Sequence, residues 1–216
     1  MKPHAGRPIV HRGEQLSDAR AAAIMIHGRG ASPDDILALV DDIDLEGFCF
    51  LAPHASENSW YPFSFLYPIK QNEPGLSSAL SVVGELLQTI GAAGIPREKT
   101  VILGFSQGAC LALEFAYRHP ARYGAVIGLS GGLIGPDGTT WKRNGDLAGT
   151  PVFLGCSDID FHIPKKRVED SAAVLAAMGA DMELRLYPGM PHTVNDDEIG
   201  FIRTVMERVA RDETEY

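Results

Sequence analysis

The amino-acid sequence predicts an α/β fold, with a mostly parallel central sheet of about seven strands and helices on both faces. Short apolar runs alternate along the chain with amphipathic helical patterns, which is typical of repeated strand–helix units. The runs at residues 101–103 and 152–154 are continuously apolar, as expected for strands that are covered on both faces. The 216 residues contain no linker or internal repeat, so we expect one domain over residues 1–216.

Seven apolar runs are the predicted strands. They are residues 7–11, 20–26, 47–51, 100–104, 125–129, 151–155 and 181–187. In the last run Met182 and Leu184 alternate with Glu183 and Arg185, which predicts a half-exposed strand near an edge of the sheet.

The helices are predicted from apolar residues that recur at helical spacing. These patterns cover residues 76–90, 168–178 and 199–209. Residues 107–119 are apolar almost all round, so we expect that helix to be deeply buried. Pro120 follows this segment and stops the helix.

Composition and charge exclude several classes of function. Apolar residues make up 45% of the chain and charged residues 22%, which is typical of globular domains. The net charge of −9 argues against nucleic-acid or anionic-membrane partners, because phosphate binding needs a basic surface. No apolar run is longer than the seven residues 172–178, far short of a membrane span, so we expect no membrane insertion. Residues 1–13 lack the apolar core of a signal peptide, and the cytoplasm is the predicted compartment.

The cysteines and histidines predict neither a disulfide framework nor a metal site. Cys49, Cys110 and Cys156 form no CxxC motif, so we expect buried free thiols. The seven histidines show no HExxH pattern, and no cofactor is implied. The sequence leaves open whether the chain acts alone or as a homodimer.

The strongest chemical motif is the pentapeptide GFSQG at residues 104–108. It lies between a predicted strand and a predicted helix, the context in which a GxSxG turn presents a serine nucleophile. Gly104 and Gly108 would be required because larger side chains would collide with neighbouring backbone. Ser106 is therefore the predicted nucleophile, and the helix that follows would direct its amides at a developing oxyanion.

A serine nucleophile needs a base and an orienting carboxylate. His192 follows the last predicted strand, in the sequence PGMPHTV, and is the predicted base. Asp158 and Asp160 both follow the strand at residues 151–155. We favour Asp158 because it stands closer to the strand end, where the backbone is best fixed; Asp160 is the alternative carboxylate. The order Ser106, Asp158, His192 is that of α/β-hydrolases.

An oxyanion hole requires two backbone donors. The Gln107 amide, next to the nucleophile, is the first predicted donor. The second is the Arg29 amide, because the sequence HGRG at residues 27–30 follows a predicted strand and its glycines allow close approach.

Taken together, the sequences HGRGA, GFSQG, GCSDIDFHIP and PGMPHTV resemble the phospholipase/carboxylesterase family of α/β-hydrolases, which includes the acyl-protein thioesterases. The resemblance implies an α/β-hydrolase fold and a carboxylic-ester or thioester hydrolase. Asn58 to Pro62 is similar to that family's loop beside the acyl pocket. Family members often read GxxDxxVP, whereas residues 155–164 contain two extra residues and a second aspartate. This insertion leaves the choice of carboxylate open.

The substrate class is predicted from the loops. Residues 53–74 and 131–150 show no regular pattern, and the second stretch is too short for a folded cap domain. An apolar wall could be formed by Trp60, Tyr61, Phe63, Phe65, Leu66 and Tyr67, of which Trp60, Tyr61 and Phe65 are the predicted substrate-binding residues. We therefore expect an ester or thioester substrate with a short to medium acyl chain. A lysophospholipase or an acyl-protein thioesterase is the alternative enzyme. A non-catalytic binding protein is the alternative from another class, although every triad residue type is present.

Overall fold

The computed structural model describes residues 2–211 and contains a seven-stranded sheet. The strands are β1 (Ile9–Gly13), β2 (Ala21–Ile26), β3 (Phe48–Pro53), β4 (Thr100–Phe105), β5 (Ala125–Leu129), β6 (Pro151–Ser157) and β7 (Asp181–Tyr187). Their spatial order is β1-β3-β2-β4-β5-β6-β7. Only β1 runs antiparallel to its neighbour, so the predicted mostly parallel sheet is confirmed, as is the position of β7 at an edge.

Helices cover both faces of this sheet. They are α1 (Pro33–Leu37), α2 (Leu39–Ile43), α3 (Gly75–Ala92), α4 (Gln107–Arg118), α5 (Lys165–Ala177) and α6 (Asp196–Ala210). Alternate residues of β2 point to opposite sides: Ala22, Ile24 and Ile26 pack with α3, α4 and α5. Ala21, Ala23 and Met25 pack instead with α1, α2 and α6. This alternation follows from the two-residue period of a strand.

The six parallel strands, β2 to β7, bring the loops that follow them to one end of the sheet. The chain leaves β2, β4, β6 and β7 at their carboxyl ends, where ligands bind in open α/β sheets. Between β5 and β6, the described chain has no helix or strand in residues 130–150, so no cap domain is built there. The α/β-hydrolase architecture predicted from the sequence is confirmed.

The three cysteines are buried free thiols, as predicted. Among residues 2–211, no helix is long and apolar enough to cross a membrane.

One buried acid connects β6 to the start of α6. Glu198 is fully buried and accepts a hydrogen bond from the Asn195 amide at 3.0 Å, as part of the capping box of α6. Its other carboxylate oxygen has no hydrogen-bond partner among the described residues and lies against Gly155, where a Cβ would collide with it. Burial raises the pKa of Glu198 to about 7, because the charged form is poorly solvated there.

We expect Glu198 to make stability depend on pH. Between about pH 4.5 and 7 the folded chain binds this proton more tightly than the unfolded chain, so the free energy of unfolding falls as pH rises. Glu198→Gln should remove this fall and leave the variant about 2–3 kcal/mol more stable than the parent at pH 8, with little difference at pH 5.

Urea unfolding at pH 5, 6, 7 and 8 measures this effect. Asp196→Asn removes an exposed charge from the same helical turn and should leave the pH dependence of the parent unchanged. Parallel pH profiles for the parent and Glu198→Gln would contradict the assignment.

Candidate active site

The candidate nucleophile lies on a strained turn between β4 and α4. Ser106 has φ 55° and ψ −117°, a conformation that side-chain-bearing residues rarely adopt. The turn is held in place because the Ser106 amide donates to the Leu129 carbonyl at 2.8 Å. A Cβ at Gly104 would collide with the Gly108 carbonyl, and one at Gly108 with the Ile26 carbonyl. The glycine requirement that the sequence analysis derived is therefore confirmed.

The second candidate residue, His192, lies on the loop after β7 and contacts the serine. Its Nε2 is 2.9 Å from the Ser106 Oγ. The imidazole packs against the Phe105 ring, at 5.0 Å between centroids, and against the His162 ring at 5.1 Å. These contacts fix the ring at the distance that proton transfer from the serine requires.

The carboxylate that contacts His192 is Asp160. Its Oδ2 lies 2.6 Å from the His192 Nδ1, and the Asp160 side chain is completely buried. The other oxygen, Oδ1, accepts from the amides of His162 and Ile163 at 2.8 and 3.0 Å. Burial alone would raise the pKa of Asp160, but the hydrogen bonds from His192 and these two amides lower it overall. Asp160 is therefore held as a carboxylate.

The preference for Asp158 is wrong. Its Oδ1 accepts from the Gly189 amide at 2.8 Å, and its own amide donates to the Tyr187 carbonyl at 3.1 Å. Asp158 thus joins the loop after β6 to the loop that carries His192, without contacting the imidazole. The chain turns after β6, and this turn brings the second aspartate, not the first, to His192.

The loop after β2 lies beside the serine. A Cβ built on Gly28 would be 3.4 Å from the Ser106 Cβ, so the backbone of this loop runs within van der Waals reach of the serine. The buried His27 accepts at Nε2 from the Ala55 amide and donates from Nδ1 to the Gly28 carbonyl at 2.7 Å. Burial lowers the pKa of His27, which favours this neutral form.

The predicted oxyanion donors are both near the serine. In a trans peptide the carbonyl and the next amide point in opposite directions, so the Gly28 carbonyl that faces His27 turns the Arg29 amide away from that ring. Within residues 2–211, neither the Arg29 amide nor the Gln107 amide has a protein acceptor. Both donors are therefore free for a ligand.

The side chain of Gln107 has a separate structural role. Its Oε1 accepts from the Trp60 amide at 2.9 Å and its Nε2 donates to the Tyr61 carbonyl at 2.8 Å. The helix that begins after the nucleophile therefore holds the loop after β3 in place. Sequence reasoning did not reveal this contact, because the two segments are far apart in the chain.

A cavity of about 430 Å³ opens beside Ser106. Tyr61, Phe65 and Cys110 are among its lining residues, so the structure brings two of the three predicted substrate-binding residues to the site. Trp60 is the exception. It is completely buried, its indole nitrogen donates to the His27 carbonyl at 2.9 Å, and it does not line the cavity. Its prediction as a substrate-binding residue is wrong, because its side chain packs in the core beneath the loop.

The Arg29 side chain fixes the outer part of the cavity wall. Its guanidinium donates to the Ser59 hydroxyl at 3.1 Å, and to the Pro62 and Phe63 carbonyls at 2.7 and 2.6 Å. It also lies 5.9 Å from the centre of the Tyr61 ring. The same residue thus offers its amide to the site and holds the wall with its side chain.

A second arginine, Arg167 of α5, contacts both loops that form the cavity wall. The buried Arg167 donates to the Leu133 and Gly135 carbonyls at 3.0 and 2.6 Å. Its guanidinium lies 5.7 Å from the centre of the Phe65 ring and 5.0 Å from that of Trp141. These contacts join the two long irregular loops, which therefore form a fixed wall.

Comparison with known proteins identifies the family. The sequence matches the model of the phospholipase/carboxylesterase family over residues 9–210. The chain belongs to the phospholipase/carboxylesterase family. Membership of this family makes it a hydrolase of the esterase or thioesterase type.

Solved structures and curated relatives agree with this family. A phospholipase/carboxylesterase from Dyadobacter fermentans is 41% identical, with a TM-score of 0.91, and the match covers 96% of this chain and 99% of that one. Acyl-protein thioesterase 1 of Saccharomyces cerevisiae is 30% identical, and the match covers 86% of this chain and 91% of the relative. Acyl-protein thioesterase 2 of Zea mays is 20% identical with a TM-score of 0.75, over 95% and 100% of the two chains; it supports the fold alone.

For this phospholipase/carboxylesterase family member, the insertion after β6 now has a structural interpretation. The family pattern GxxDxxVP contains a single aspartate, and this chain carries two. Counted from Gly155, the pattern selects Asp158; counted back from Pro164, it selects Asp160. The spacing to Pro164 is the sequence signal that identifies the carboxylate in contact with His192, because Ile163 and Pro164 lead directly into α5.

Proposed function

We propose that this chain is a carboxylesterase that cleaves esters of short to medium acyl chains through an acyl-enzyme on Ser106. The observation that carries the proposal is the continuous set of contacts from the Ser106 Oγ to His192 at 2.9 Å and from His192 to the Asp160 carboxylate at 2.6 Å. This is the arrangement in which a serine hydroxyl becomes a nucleophile.

The proposed reaction uses each group in turn. The Ser106 Oγ attacks the carbonyl carbon while His192 takes its proton, and Asp160 stabilises the imidazolium that forms. The Arg29 and Gln107 amides donate to the oxyanion, and one such donor is typically worth about 3–4 kcal/mol of the barrier. His192 then protonates the departing alcohol or thiol. Water deacylates Ser106 by the same route in reverse.

The cavity beside Ser106 is the proposed acyl site. Its volume of about 430 Å³ is in the range of small-molecule pockets, and the aromatic rings of Tyr61 and Phe65 form part of its wall. Each methylene that is buried against the cavity wall stabilises the bound transition state by about 0.8 kcal/mol, which raises kcat/KM nearly fourfold. We expect kcat/KM to rise with chain length while the cavity fills, and then to level off.

Phe65→Ala should weaken this dependence on chain length. With p-nitrophenyl esters from acetate to palmitate, the variant should lose about tenfold or more in kcat/KM for butyrate and hexanoate and less for acetate. Tyr67→Ala is the matched control, since Tyr67 is 48% exposed and does not line the cavity. A rising preference up to palmitate, or a jump in activity on micelles, would contradict the proposed acyl site.

Thioester hydrolysis is the second candidate function. The supporting observation is the 30% identity to acyl-protein thioesterase 1 of Saccharomyces cerevisiae. Parallel assays of butyryl esters and butyryl thioesters decide between the two activities. The cytoplasmic location and the homodimer stay predictions, which fractionation and sedimentation would check.

A further inference from the structure

A second cavity meets the candidate active site on the other side of His192. It has a volume of about 370 Å³, and Gly28, Phe105 and His192 line both it and the proposed acyl cavity. Ser106 lines only the acyl cavity. The two cavities therefore adjoin at His192, and Ser106 lies on the side of the acyl cavity.

The proposed reaction indicates which part of the substrate each cavity would hold. When the tetrahedral intermediate collapses, the bond from the carbonyl carbon to the leaving oxygen or sulfur breaks. Its electron pair stays on that atom, which takes the proton that His192 removed from Ser106. The leaving group must therefore lie against His192, whereas the acyl group remains bonded to Ser106. Of these two cavities, the second touches His192 without also touching Ser106.

The second cavity offers apolar surface and one carboxylate. Ile36, Leu39 and Val194 supply apolar contacts, and Asp35 lines it as well. Among the described residues that line it there is no lysine or arginine. Hydrogen bonds from the Ser32 hydroxyl and amide lower the pKa of Asp35, so it carries a negative charge at neutral pH.

Besides His192 and Asp35, the titratable group that lines this cavity is His27. Burial lowers its pKa, and its two ring nitrogens are already bonded to backbone groups. It therefore supplies no compensating positive charge. The guanidinium of Arg29 is also directed elsewhere, onto the Pro62 and Phe63 carbonyls.

From this geometry we propose that the second cavity is the leaving-group subsite and that it takes an uncharged or cationic alcohol or thiol in preference to an anionic one. The inference rests on the proposed serine hydrolase function and narrows it: a leaving group that carries a phosphate would meet Asp35, and no lysine or arginine among the described lining residues would offset that charge. This preference disfavours the lysophospholipase alternative, in which the leaving group carries a phosphate, and favours the hydrolysis of simple esters and thioesters.

Three butyrate esters with different alcohols test the charge preference. Their alcohols are 3,3-dimethylbutanol, its cationic isostere choline, and 3-hydroxypropanesulfonate, so the acyl-enzyme is the same for all three. The choline ester should exceed the sulfonate ester in kcat/KM. Asp35→Asn should bring the two values about three- to tenfold closer, an effect that salt weakens. Asp34→Asn is the control, since Asp34 is exposed, adjacent and outside the cavity.

Filling the cavity tests its position independently of charge. Leu39→Phe should lower kcat/KM for the dimethylbutyl ester more than for methyl butyrate, whose leaving group is much smaller. The rate of deacylation, measured after a burst, should be the same in Leu39→Phe, Asp35→Asn and the parent, because the leaving group has departed by then. Thermal unfolding checks that both variants are folded.

The outcomes separate this inference from the proposed function. An active enzyme whose charge and size preferences are unchanged in Asp35→Asn and Leu39→Phe would overturn the leaving-group subsite alone. A chain that hydrolyses none of the esters and forms no acyl-enzyme would instead overturn the proposed function.

Discussion

Replacing Ser106 with alanine is expected to lower kcat by about 10⁴- to 10⁶-fold. The Ser106 Oγ lies 2.9 Å from the His192 Nε2, and the variant loses this bond-forming atom. The backbone donors stay in place, and the residual rate should reflect the oxyanion hole alone. Alanine carries a Cβ, as serine does, so it meets the same backbone strain at φ 55° and the turn should be strained to the same extent.

Fluorophosphonate labelling provides the direct measurement. The parent should incorporate one equivalent at Ser106, and Ser106→Ala should incorporate none while unfolding at a similar temperature. Burial raises the pKa of the Cys110 and Cys156 thiols to about 12, so mild iodoacetamide should leave activity intact. Stoichiometric labelling of the alanine variant would show that another residue is the nucleophile.

Most of the fold could be predicted from the sequence because its signals are local. The continuously apolar runs of β4 and β6 identify strands that are covered on both faces, and the alternation in β7 identifies the edge. The signal that predicts Ser106 as the candidate nucleophile is equally local. Glycines at 104 and 108 are required by contacts within the turn and with the neighbouring β2, and the motif that contains them is short.

The remaining parts of the site depend on contacts between distant segments. Trp60 and Phe65 are both aromatic residues of one irregular loop, and no periodicity tells which side chain packs inward. The tertiary structure decides this, because the His27 carbonyl accepts from the Trp60 indole whereas Phe65 lies beside Arg167. For the same reason the side-chain roles of Arg29 and Gln107 were missed, although their amides were predicted.

The preference for Asp158, with Asp160 as the alternative, was wrong for a different reason. Proximity to the end of β6 favours Asp158, since the backbone is best fixed there. The turn at residues 158–159 instead directs Asp158 to the Gly189 amide and brings Asp160 to the imidazole. Only the spacing to Pro164 carries this information in the sequence.

Asp160→Asn is therefore expected to have the second large effect, lowering kcat by about 10³- to 10⁴-fold. The asparagine carbonyl can still accept from the amides of His162 and Ile163, which now bond to the Asp160 Oδ1. Its amide nitrogen would then face the His192 Nδ1 as a donor, and this favours the tautomer with the proton on Nε2. In that tautomer the imidazole cannot accept the proton of Ser106.

Asp158→Asn is the matched control for this prediction. It makes the same chemical change two residues earlier, and its carbonyl can still accept from the Gly189 amide, so we expect kcat within a few-fold of the parent. Hydrolysis of p-nitrophenyl butyrate measures both variants, and the imidazole proton resonances of His192 report the tautomer in each. If Asp158→Asn lost more activity than Asp160→Asn, the contact between Asp160 and His192 would not be the one that orients the base, and the carboxylate nearer the strand would be restored to that role.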